Sequence, residues 1–176
     1  MTESEEPAVA PGRASEPVCE VDFLVGDAFN VAGVDGVVNP WNRNFLPRWA
    51  LIPRGFSGAL KRRTGPEPWA QLRRLGLLDV GEAVVTPGGN LTGVWLIHVA
   101  GINARWRATD ASVSQASENA VRAAWRVGCR HVVMPLIGSG TGGMSPDRSH
   151  ELIDRAITPF TSPRAPMRVT VVRRDP

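Results

Sequence analysis

The sequence predicts an α/β protein in which helices alternate with the strands of one mixed sheet. Apolar runs too short for helices alternate with segments whose apolar residues recur at helical spacing. Glycine and proline mark most of the boundaries between them. The 176 residues are 43% hydrophobic, which suits one packed domain. We expect this domain to span residues 18–176, after an acidic and disordered tail at residues 1–17.

The first half of the domain is expected to contain four strands and two helices. The segments VCEVDFLVGD, VDGVVN, GEAVVTPGG and GVWLIHVAG combine apolar runs with turn-forming residues, which is typical of strands. The segments GFSGALKRRTG and PEPWAQLRRLG are bounded by glycine or proline, as expected of short helices, and Gly76 closes the second.

The second half contains the clearest helical pattern. Apolar residues recur every three or four positions at Val113, Ala116, Ala120, Ala124 and Val127. Asp110 or Ser112 is the expected N-cap of this helix, and Gly128 the expected C-cap. HVVMPLI then predicts a strand, SPDRSHELIDRAITPF a helix capped by Ser145, and MRVTVVRR a last strand.

Composition excludes several classes of protein. No apolar run approaches the roughly 20 residues that span a bilayer, and the acidic N-terminus lacks the apolar core of a secretory signal. We therefore expect a cytoplasmic monomer without a membrane partner. Cys19, Cys129 and the histidines at 98, 131 and 150 have no metal-ligand spacing, so no metal and no cofactor is expected. Cys129 precedes an apolar strand and is expected to be a buried hydrophobic residue.

The charge of the chain allows an anionic partner. The formal charge is +3, and four glutamates and one arginine give the tail −3, so the remainder carries +6. All lysine and arginine positions except Lys61 are arginine. Arginine suits bidentate contact with phosphate, but a GC-rich genome would give the same bias and is the favoured explanation. If Trp41, Trp49, Trp69 and Trp106 form a stacking surface, nucleic acid is a second kind of partner, although it is not the favoured one. Because they are not clustered with arginine at a regular spacing, core or lid positions are the favoured interpretation for most of these tryptophans.

The segment PLIGSGTGGMSP holds four glycines within six residues. It joins a predicted strand to a predicted helix, and ligands bind at such junctions in open α/β folds. Glycines let several backbone N–H groups face one point, and the helix N-terminus adds a positive partial charge, so the segment predicts a phosphate site. A tight turn is the alternative. The segment lacks the Gly-Lys-Ser/Thr ending of a triphosphate-binding loop.

Three further segments place notable residues at strand ends or helix starts. VGD places Asp27 after a strand, VVNPWN ends a strand with Asn39 and Asn42, and GFSGALKR begins a helix with two glycines. Turn or cap roles are the alternative for each of them. Together they predict a crevice lined by one acid, two amides and two glycine-rich phosphate cradles.

Taken in their order along the chain, these segments resemble the macrodomain family over about residues 20–160. Five motifs of that family have similar counterparts in this chain, which are GD, VVNPWN, GFSGALKR, GEAVVTPGGNLTGVWLIHVAG and PLIGSGTGG. The resemblance implies a three-layer α/β/α fold with a central mixed sheet. It also implies that the partner is ADP-ribose or an ADP-ribosylated macromolecule.

The resemblance implies a role for each matched residue. Asp27 and the Ala28 amide would hold the adenine, and Asn39 and Asn42 would face the distal ribose. In the first cradle, the implied contacts to phosphate and ribose are Gly55, Phe56, Ser57 and Gly58. In the second cradle they are Gly138, Ser139, Gly140, Thr141, Gly142 and Gly143, and Ile137 and Met144 on either side of it are implied contacts as well.

The chain departs from the family pattern in several places. An insertion, RNFLPRWALIPR at residues 43–54, replaces a short glycine loop, and its side chains either form a lid or partner surface or pack on the domain. Ser57 stands where the similar hydrolases have aspartate, and Lys61 where they often have histidine. Gly142 replaces a common aromatic residue.

The expected activity is hydrolysis of ADP-ribose from a mono-ADP-ribosylated protein, at an acidic side chain. Ser57 is a poor base, so the pyrophosphate of the ligand would activate a water that Asn42 and Ser57 orient. A reader that binds without cleavage and a hydrolase of ADP-ribosylated nucleic acid are the alternatives. For Arg105, Trp106 and Arg107 a solvated surface is the favoured interpretation, and a role in closing the site is the alternative.

Overall fold

The computed structural model describes residues 16–41, 55–163 and 165–174. The predicted tail lies outside this part of the chain except for Glu16 and Pro17. Asn42 and the insertion at residues 43–54 also lie outside it, so their predicted roles stay predictions.

Strands and helices alternate along the described chain, as the sequence predicted. The strands are β1 (Cys19–Val25), β2 (Gly36–Trp41), β3 (Ala83–Pro87), β4 (Trp95–Ala100), β5 (His131–Pro135) and β6 (Met167–Arg173). The helices are α1 (Gly55–Thr64), α2 (Glu67–Arg74), α3 (Asp110–Arg126) and α4 (Pro146–Ile157). Short 3₁₀ turns lie at Ala28–Asn30 and Thr158–Phe160.

The strands form one mixed sheet in the order β1-β6-β5-β2-β4-β3. Every neighbouring pair is parallel except β3 and β4, which are antiparallel. The carboxyl ends of β1, β6, β5, β2 and β4 therefore meet at the same edge of the sheet. We call this edge the carboxyl edge.

Helices α1 and α2 cover one face of the sheet. Leu60, Trp69 and Leu72 lie in one buried cluster with the sheet residues Val37 and Leu96. A fully buried leucine contributes roughly 1.5–3 kcal/mol relative to an exposed one. This cluster therefore holds α1, and with it the first cradle, against the sheet.

Helices α3 and α4 cover the opposite face and complete the three layers. Ala116, Ala120 and Ala124 of α3 are fully buried, as their spacing predicted. They belong to one cluster with Ile153 and Ile157 of α4. Small side chains on the buried side of α3 allow the helix to lie close to the sheet.

The N-cap of α3 differs from the prediction. Thr109, rather than Asp110 or Ser112, caps the helix, because its Oγ1 accepts a hydrogen bond from the Ser112 amide at 3.1 Å. Ser112 Oγ in turn accepts from the Thr109 amide at 2.9 Å. Asp110 is the first helical residue, where its carboxylate suits the positive end of the helix. The C-cap of α3 is Val127, and Gly128, the predicted C-cap, follows it in the left-handed conformation. Ser145 caps α4, as predicted.

The described residues include no group of three metal-binding side chains and no helix long and apolar enough to cross a membrane. Cys129 is buried beside the sheet, as predicted from its sequence context.

Candidate ligand-binding site

Four segments meet at the carboxyl edge. Asp27 follows β1, the second cradle at residues 138–143 follows β5, and a loop at residues 101–109 follows β4. The first cradle, residues 55–58, begins α1 at the end of β2, where Ser57 reaches the carbonyl of Pro40. The strand order places Asp27 at one end, the two cradles in the middle and the loop after β4 beyond them.

Asp27 caps the short 3₁₀ turn that follows β1. Its Oδ1 accepts a hydrogen bond from the Phe29 amide at 3.0 Å, as the alternative interpretation predicted. The Gly26 amide donates to the Arg173 carbonyl at 2.9 Å, which fixes this turn beside β6. The side chain of Asp27 is exposed, while Ala28 beneath the turn is buried. Capping occupies one carboxylate oxygen, and no hydrogen bond to Oδ2 comes from the described residues, so Oδ2 can accept from a ligand.

Hydrogen bonds within the loop and to its neighbours shape the second cradle. The Met144 amide donates to the Gly138 carbonyl at 3.1 Å, and the Gly143 amide to the Gly140 carbonyl at 3.1 Å. Ser139 Oγ donates to the Leu136 carbonyl at 3.0 Å. These bonds define a compact turn between β5 and α4.

Four consecutive amides of the second cradle donate to no acceptor in the described part of the protein. They belong to Ser139, Gly140, Thr141 and Gly142. Unpaired backbone N–H groups need a partner such as water or an anion. The N-terminus of α4 follows directly and adds a positive partial charge. The second cradle therefore has the chemistry of an anion site.

Close packing requires glycine at two positions of the second cradle. A Cβ at Gly142 would lie 2.7 Å from the Gly138 carbonyl oxygen and 2.8 Å from Ile102 Cγ2. Gly138 has a φ of +82°, and its Cβ would lie 2.7 Å from Ala108 Cβ. The cradle packs directly on the loop after β4, which explains why no aromatic side chain fits at Gly142.

Ile137 and Met144, predicted as ligand contacts, have side chains that pack inward. Ile137 has no exposed area, and its carbonyl accepts from Ser149 Oγ at 2.7 Å. Met144 is half-buried against the cluster under α3 and α4. These side chains support the second cradle from the protein side.

The first cradle is the N-terminal turn of α1. Gly55 begins it with a φ of +57°, which glycine adopts without strain. The ring of Phe56 stacks on Phe29, with centroids 4.8 Å apart and planes 9° apart. The guanidinium carbon of Arg63 lies 3.9 Å from the centroid of Phe29. This stack joins the start of α1 to the 3₁₀ turn after β1.

A chain of four side chains leads from the first cradle into the sheet. Ser57 Oγ donates to Asn39 Oδ1 at 2.6 Å. Asn39 Nδ2 lies 2.9 Å from His98 Nδ1, and His98 Nε2 lies 2.9 Å from Thr86 Oγ1. Asn39 and His98 are direct partners in the parallel register of β2 and β4. All of these side chains except Ser57 are buried, so the hydrogen bonds that join them are shielded from water.

The chain of hydrogen bonds has a definite direction. Since Asn39 Oδ1 accepts from Ser57, the amide nitrogen faces His98 and donates to Nδ1. His98 then carries its proton on Nε2 and donates it to Thr86. Burial lowers the pKa of His98 from its ordinary 6.5 to about 3, so the ring is neutral near pH 7. The hydroxyl proton of Ser57 is therefore donated to Asn39, away from the cleft. The oxygen of Ser57 can then accept a hydrogen bond from a group in the cleft.

Asn39 does not face the cleft directly. The sequence predicted a contact between this residue and the distal ribose, but its amide is fully buried and bonded to Ser57 and His98. Asn39 thus acts on the site through Ser57.

His98 and Thr86 are candidate functional residues that the sequence analysis missed. The available signal was a histidine inside the apolar strand WLIHVAG, because a buried polar side chain needs a hydrogen-bond partner. The identity of that partner depends on the register of β2 and β4, which the sequence does not reveal.

The described tryptophans do not form one stacking surface. Trp69 is 2% exposed and donates from Nε1 to Thr64 Oγ1 at 2.9 Å, so it occupies a core position, which is the interpretation that the sequence favoured. Trp41 is half-buried with its ring 5.2 Å from Trp69. Trp106 is exposed and lies in the loop after β4. Trp49 lies outside the described residues.

Comparison with known proteins identifies the family. The model of the Macro domain family matches residues 38–153, which is more than half of the chain. This chain therefore belongs to the Macro domain family, as the resemblance of its motifs predicted.

Three relatives show the range of sequence similarity. An uncharacterised protein of Aeropyrum pernix is 34% identical over 122 residues, which are 69% of this chain and 61% of that protein. ADP-ribose glycohydrolase MACROD2 of Xenopus laevis is 30% identical over 143 residues, 74% of this chain and 31% of the relative. O-acetyl-ADP-ribose deacetylase of Klebsiella pneumoniae is 27% identical over 154 residues, 83% of each chain. The chain spans less than two thirds of the length of the first two.

Solved macrodomains share the fold. The Oceanobacillus iheyensis macrodomain with ADP superposes with a TM-score of 0.71 at 23% identity, over 86% of this chain and 82% of that one. The Trypanosoma brucei macrodomain in complex with ADP-ribose gives 0.66 at 16% identity, over 87% and 63%. These similarities confirm the predicted three-layer α/β/α fold with a central mixed sheet.

Proposed function

We propose that this chain binds ADP-ribose along the carboxyl edge and hydrolyses it from a mono-ADP-ribosylated protein, at an acidic side chain. The observation that carries the proposal is the order of groups along that edge. An exposed carboxylate at Asp27 comes first, followed by the open amides of the second cradle and then by the helix start at the first cradle. ADP-ribose presents an amino group, a pyrophosphate and a second ribose in the matching order.

The names of two relatives support this proposal. The Xenopus relative is an ADP-ribose glycohydrolase, and the Klebsiella relative is an O-acetyl-ADP-ribose deacetylase. Both names describe cleavage of a compound of ADP-ribose, and the matches cover most of this chain.

In the proposed complex, Asp27 Oδ2 accepts from the adenine amino group. The amides of residues 139–142 and the N-terminal turns of α1 and α4 bind the pyrophosphate. The amides of residues 139–142 have no acceptor in the described part of the protein, so binding an anion there requires no rearrangement of the backbone.

In the proposed reaction, a water attacks the anomeric carbon of the distal ribose. A carbon–oxygen bond forms to the water, the bond to the side-chain carboxylate breaks, and the carboxylate leaves with the bonding electrons. The water loses its proton to a pyrophosphate oxygen of the ligand. Ser57 orients the water by accepting its other proton in a hydrogen bond. Its own proton is donated to Asn39, so it positions the water without acting as a base. Asn42 is proposed to hold the same water or the ribose.

Calorimetric titration with ADP-ribose, beside a release assay on a protein modified on glutamate, tests this proposal. Micromolar or tighter binding with release of ADP-ribose is the expected result. The absence of ADP-ribose binding would contradict the proposed site as a whole.

Substitution of Ser57 tests the proposed role of the oriented water. We expect Ser57→Ala to keep the affinity for ADP-ribose within a few-fold and to slow release by about a hundredfold, since misplacing the reacting water costs a factor of this order. Asn42→Ala is expected to slow release as well. Ser162→Ala, near the start of β1 at the opposite edge, is the control and should release ADP-ribose at the wild-type rate. Full turnover by both site variants would refute the proposed arrangement.

A reader that binds ADP-ribose without cleaving it is the second candidate. The observation that favours it is Ser57 itself, whose hydrogen bonds in the described structure run to Asn39 and Pro40 and include no base. Tight binding without release from glutamate or aspartate would support the reader and reject the hydrolase.

A further inference from the structure

The loop after β4 presents an exposed Arg-Trp-Arg turn at the carboxyl edge. Trp106 has a φ of 60° and is the only non-glycine residue with a left-handed φ among residues 16–41, 55–163 and 165–174. The residue is 36% exposed. Arg105 and Arg107 flank it, and both are exposed. We call residues 105–107 the Trp106 turn.

Asn103 holds the Trp106 turn in this conformation. Its Oδ1 accepts from the amides of Arg105 at 2.9 Å and Arg107 at 3.1 Å. Its carbonyl accepts from the Trp106 amide at 3.0 Å, and its amide donates to the Arg107 carbonyl at 2.9 Å. A left-handed conformation costs a bulky residue about 1–2 kcal/mol. The hydrogen bonds to Asn103 offset that cost and hold the turn in this conformation.

The charges of the turn are uncompensated in the described structure. Neither Arg105 nor Arg107 forms an ion pair with any described residue. The nearest acid along the chain, Asp110, is bonded to Arg148, which lowers the pKa of that carboxyl. Two positive charges therefore remain available to a partner.

The turn lies where the proposed ligand ends. The Ala108 amide donates to the Gly142 carbonyl at 3.0 Å, which joins this loop to the second cradle. Asp27 follows β1 at one end of the sheet order, and the turn follows β4 beyond both cradles. An ADP-ribose with its adenine at Asp27 thus extends its distal ribose, and whatever is attached to it, toward the turn.

We propose that the Trp106 turn contacts the polypeptide that carries the ADP-ribose and favours an acidic sequence around the modified residue. This inference rests on the proposed function. Guanidinium groups bind carboxylates with two parallel hydrogen bonds, and tryptophan and arginine supply much of the binding energy at protein interfaces. Because the turn is already held in one conformation, a peptide does not have to order it.

The test uses two peptides that carry ADP-ribose on a central residue through a hydrolysis-resistant amide. One peptide has glutamates on both sides of that residue, and the other has glutamines. Calorimetry on the full chain measures the Kd of each peptide and of free ADP-ribose. The amide keeps the measurement independent of cleavage, so a reader and a hydrolase are tested equally.

We expect the wild-type chain to bind the acidic peptide about fivefold or more tightly than the neutral one, which corresponds to two exposed ion pairs. The double variant Arg105→Gln/Arg107→Gln should lose this preference and keep its Kd for free ADP-ribose. The control Arg126→Gln/Arg130→Gln removes the same charge at the opposite edge of the sheet and should keep the preference. High salt should reduce the preference of the wild-type chain.

Substitution of Trp106 tests the contribution of the indole ring to peptide binding without changing the backbone conformation of the turn. Trp106→Asn is the suitable variant, because asparagine tolerates a left-handed φ and preserves the turn. It should weaken binding of both peptides by about threefold or more without changing the Kd of free ADP-ribose. That pattern would reflect loss of an aromatic contact at the interface.

Three outcomes would overturn the inference. Equal affinities for the acidic and neutral peptides would show that the Trp106 turn does not favour acidic sequences. Tighter binding of an ADP-ribosylated single-stranded oligonucleotide, lost in Arg105→Gln/Arg107→Gln, would identify nucleic acid as the partner instead. A wild-type chain that fails to bind free ADP-ribose would refute the proposed function itself, and the inference with it.

Discussion

Ser57 owes its orientation to residues that never reach the cleft. Its hydroxyl proton is held by Asn39, whose amide group is fixed by His98. The imidazole can accept from Asn39 only while it is neutral, and burial ensures this by lowering its pKa to about 3. At the scale of single residues, a buried side chain in the middle of the sheet therefore orients the half-buried hydroxyl of Ser57.

Two substitutions of His98 separate this positioning role from simple packing. His98→Asn keeps an acceptor toward Asn39, whereas His98→Gln keeps the donor toward Thr86 and loses that acceptor. Because both variants shorten or reshape the same buried side chain, they should unfold at similar denaturant concentrations. We expect release of ADP-ribose to be about tenfold slower in His98→Gln than in His98→Asn, with similar ADP-ribose Kd. Equal release rates would show that His98 only fills space.

At the scale of elements, the second cradle depends on the loop after β4. Gly142 leaves no room for a Cβ between the Gly138 carbonyl and Ile102, and its own carbonyl accepts from Ala108. The two segments therefore keep their shape together. Gly140 differs, because a Cβ there would meet no atom within 4 Å.

This difference predicts unequal effects of two alanine substitutions. Gly142→Ala should weaken ADP-ribose binding by about tenfold or more, because the added methyl forces the cradle or the loop to move. Gly140→Ala is the matched comparison, with the same added group and no contact, and its loss should be at least several-fold smaller. Calorimetric titration of both variants measures the difference. Similar losses of affinity would contradict the packing argument.

At the scale of the whole molecule, the burial of His98 makes the free energy of unfolding depend on pH. The unfolded chain binds a proton at this side chain near its ordinary pKa of 6.5, while the folded chain does so only near pH 3. Between these values the unfolded state holds the extra proton, so acidification favours unfolding. The contribution of His98 is complete above about pH 6.5 and is lost as the pH falls toward 3.

We expect the free energy of unfolding to decrease by up to about 1.4 kcal/mol per pH unit between pH 6 and pH 4 through His98 alone. Urea titrations at several pH values measure the slope. His98→Asn has no titrating imidazole at this position and should show a shallower slope. Since acidic ion pairs such as Asp110–Arg148 also contribute at low pH, the difference between the two proteins is the informative quantity. Parallel slopes would mean that His98 titrates in the folded state.

Much of the architecture was predictable from local patterns. Alternation of apolar runs with helical segments predicted the strands and α-helices of the described residues. The runs in β2, β4 and β5 are nearly continuous because both faces of the sheet are covered there. The cap of α3 was not predicted, because Thr109 pairs with Ser112 in a capping box that lacks the usual acidic residue.

The sequence by itself determined the fold class, the glycine-rich cradles and the acid at Asp27, because these depend on residue type and on order along the chain. Only the tertiary structure decided which polar groups meet. Asn39 and His98 are 59 positions apart and become partners through the register of two parallel strands. Trp69 and Trp106 have the same side chain, yet Trp69 packs from α2 into the buried cluster on the sheet, while Trp106 lies partly exposed in a turn that Asn103 holds. Register and backbone conformation arise from long-range packing, so no local pattern in the sequence contains them.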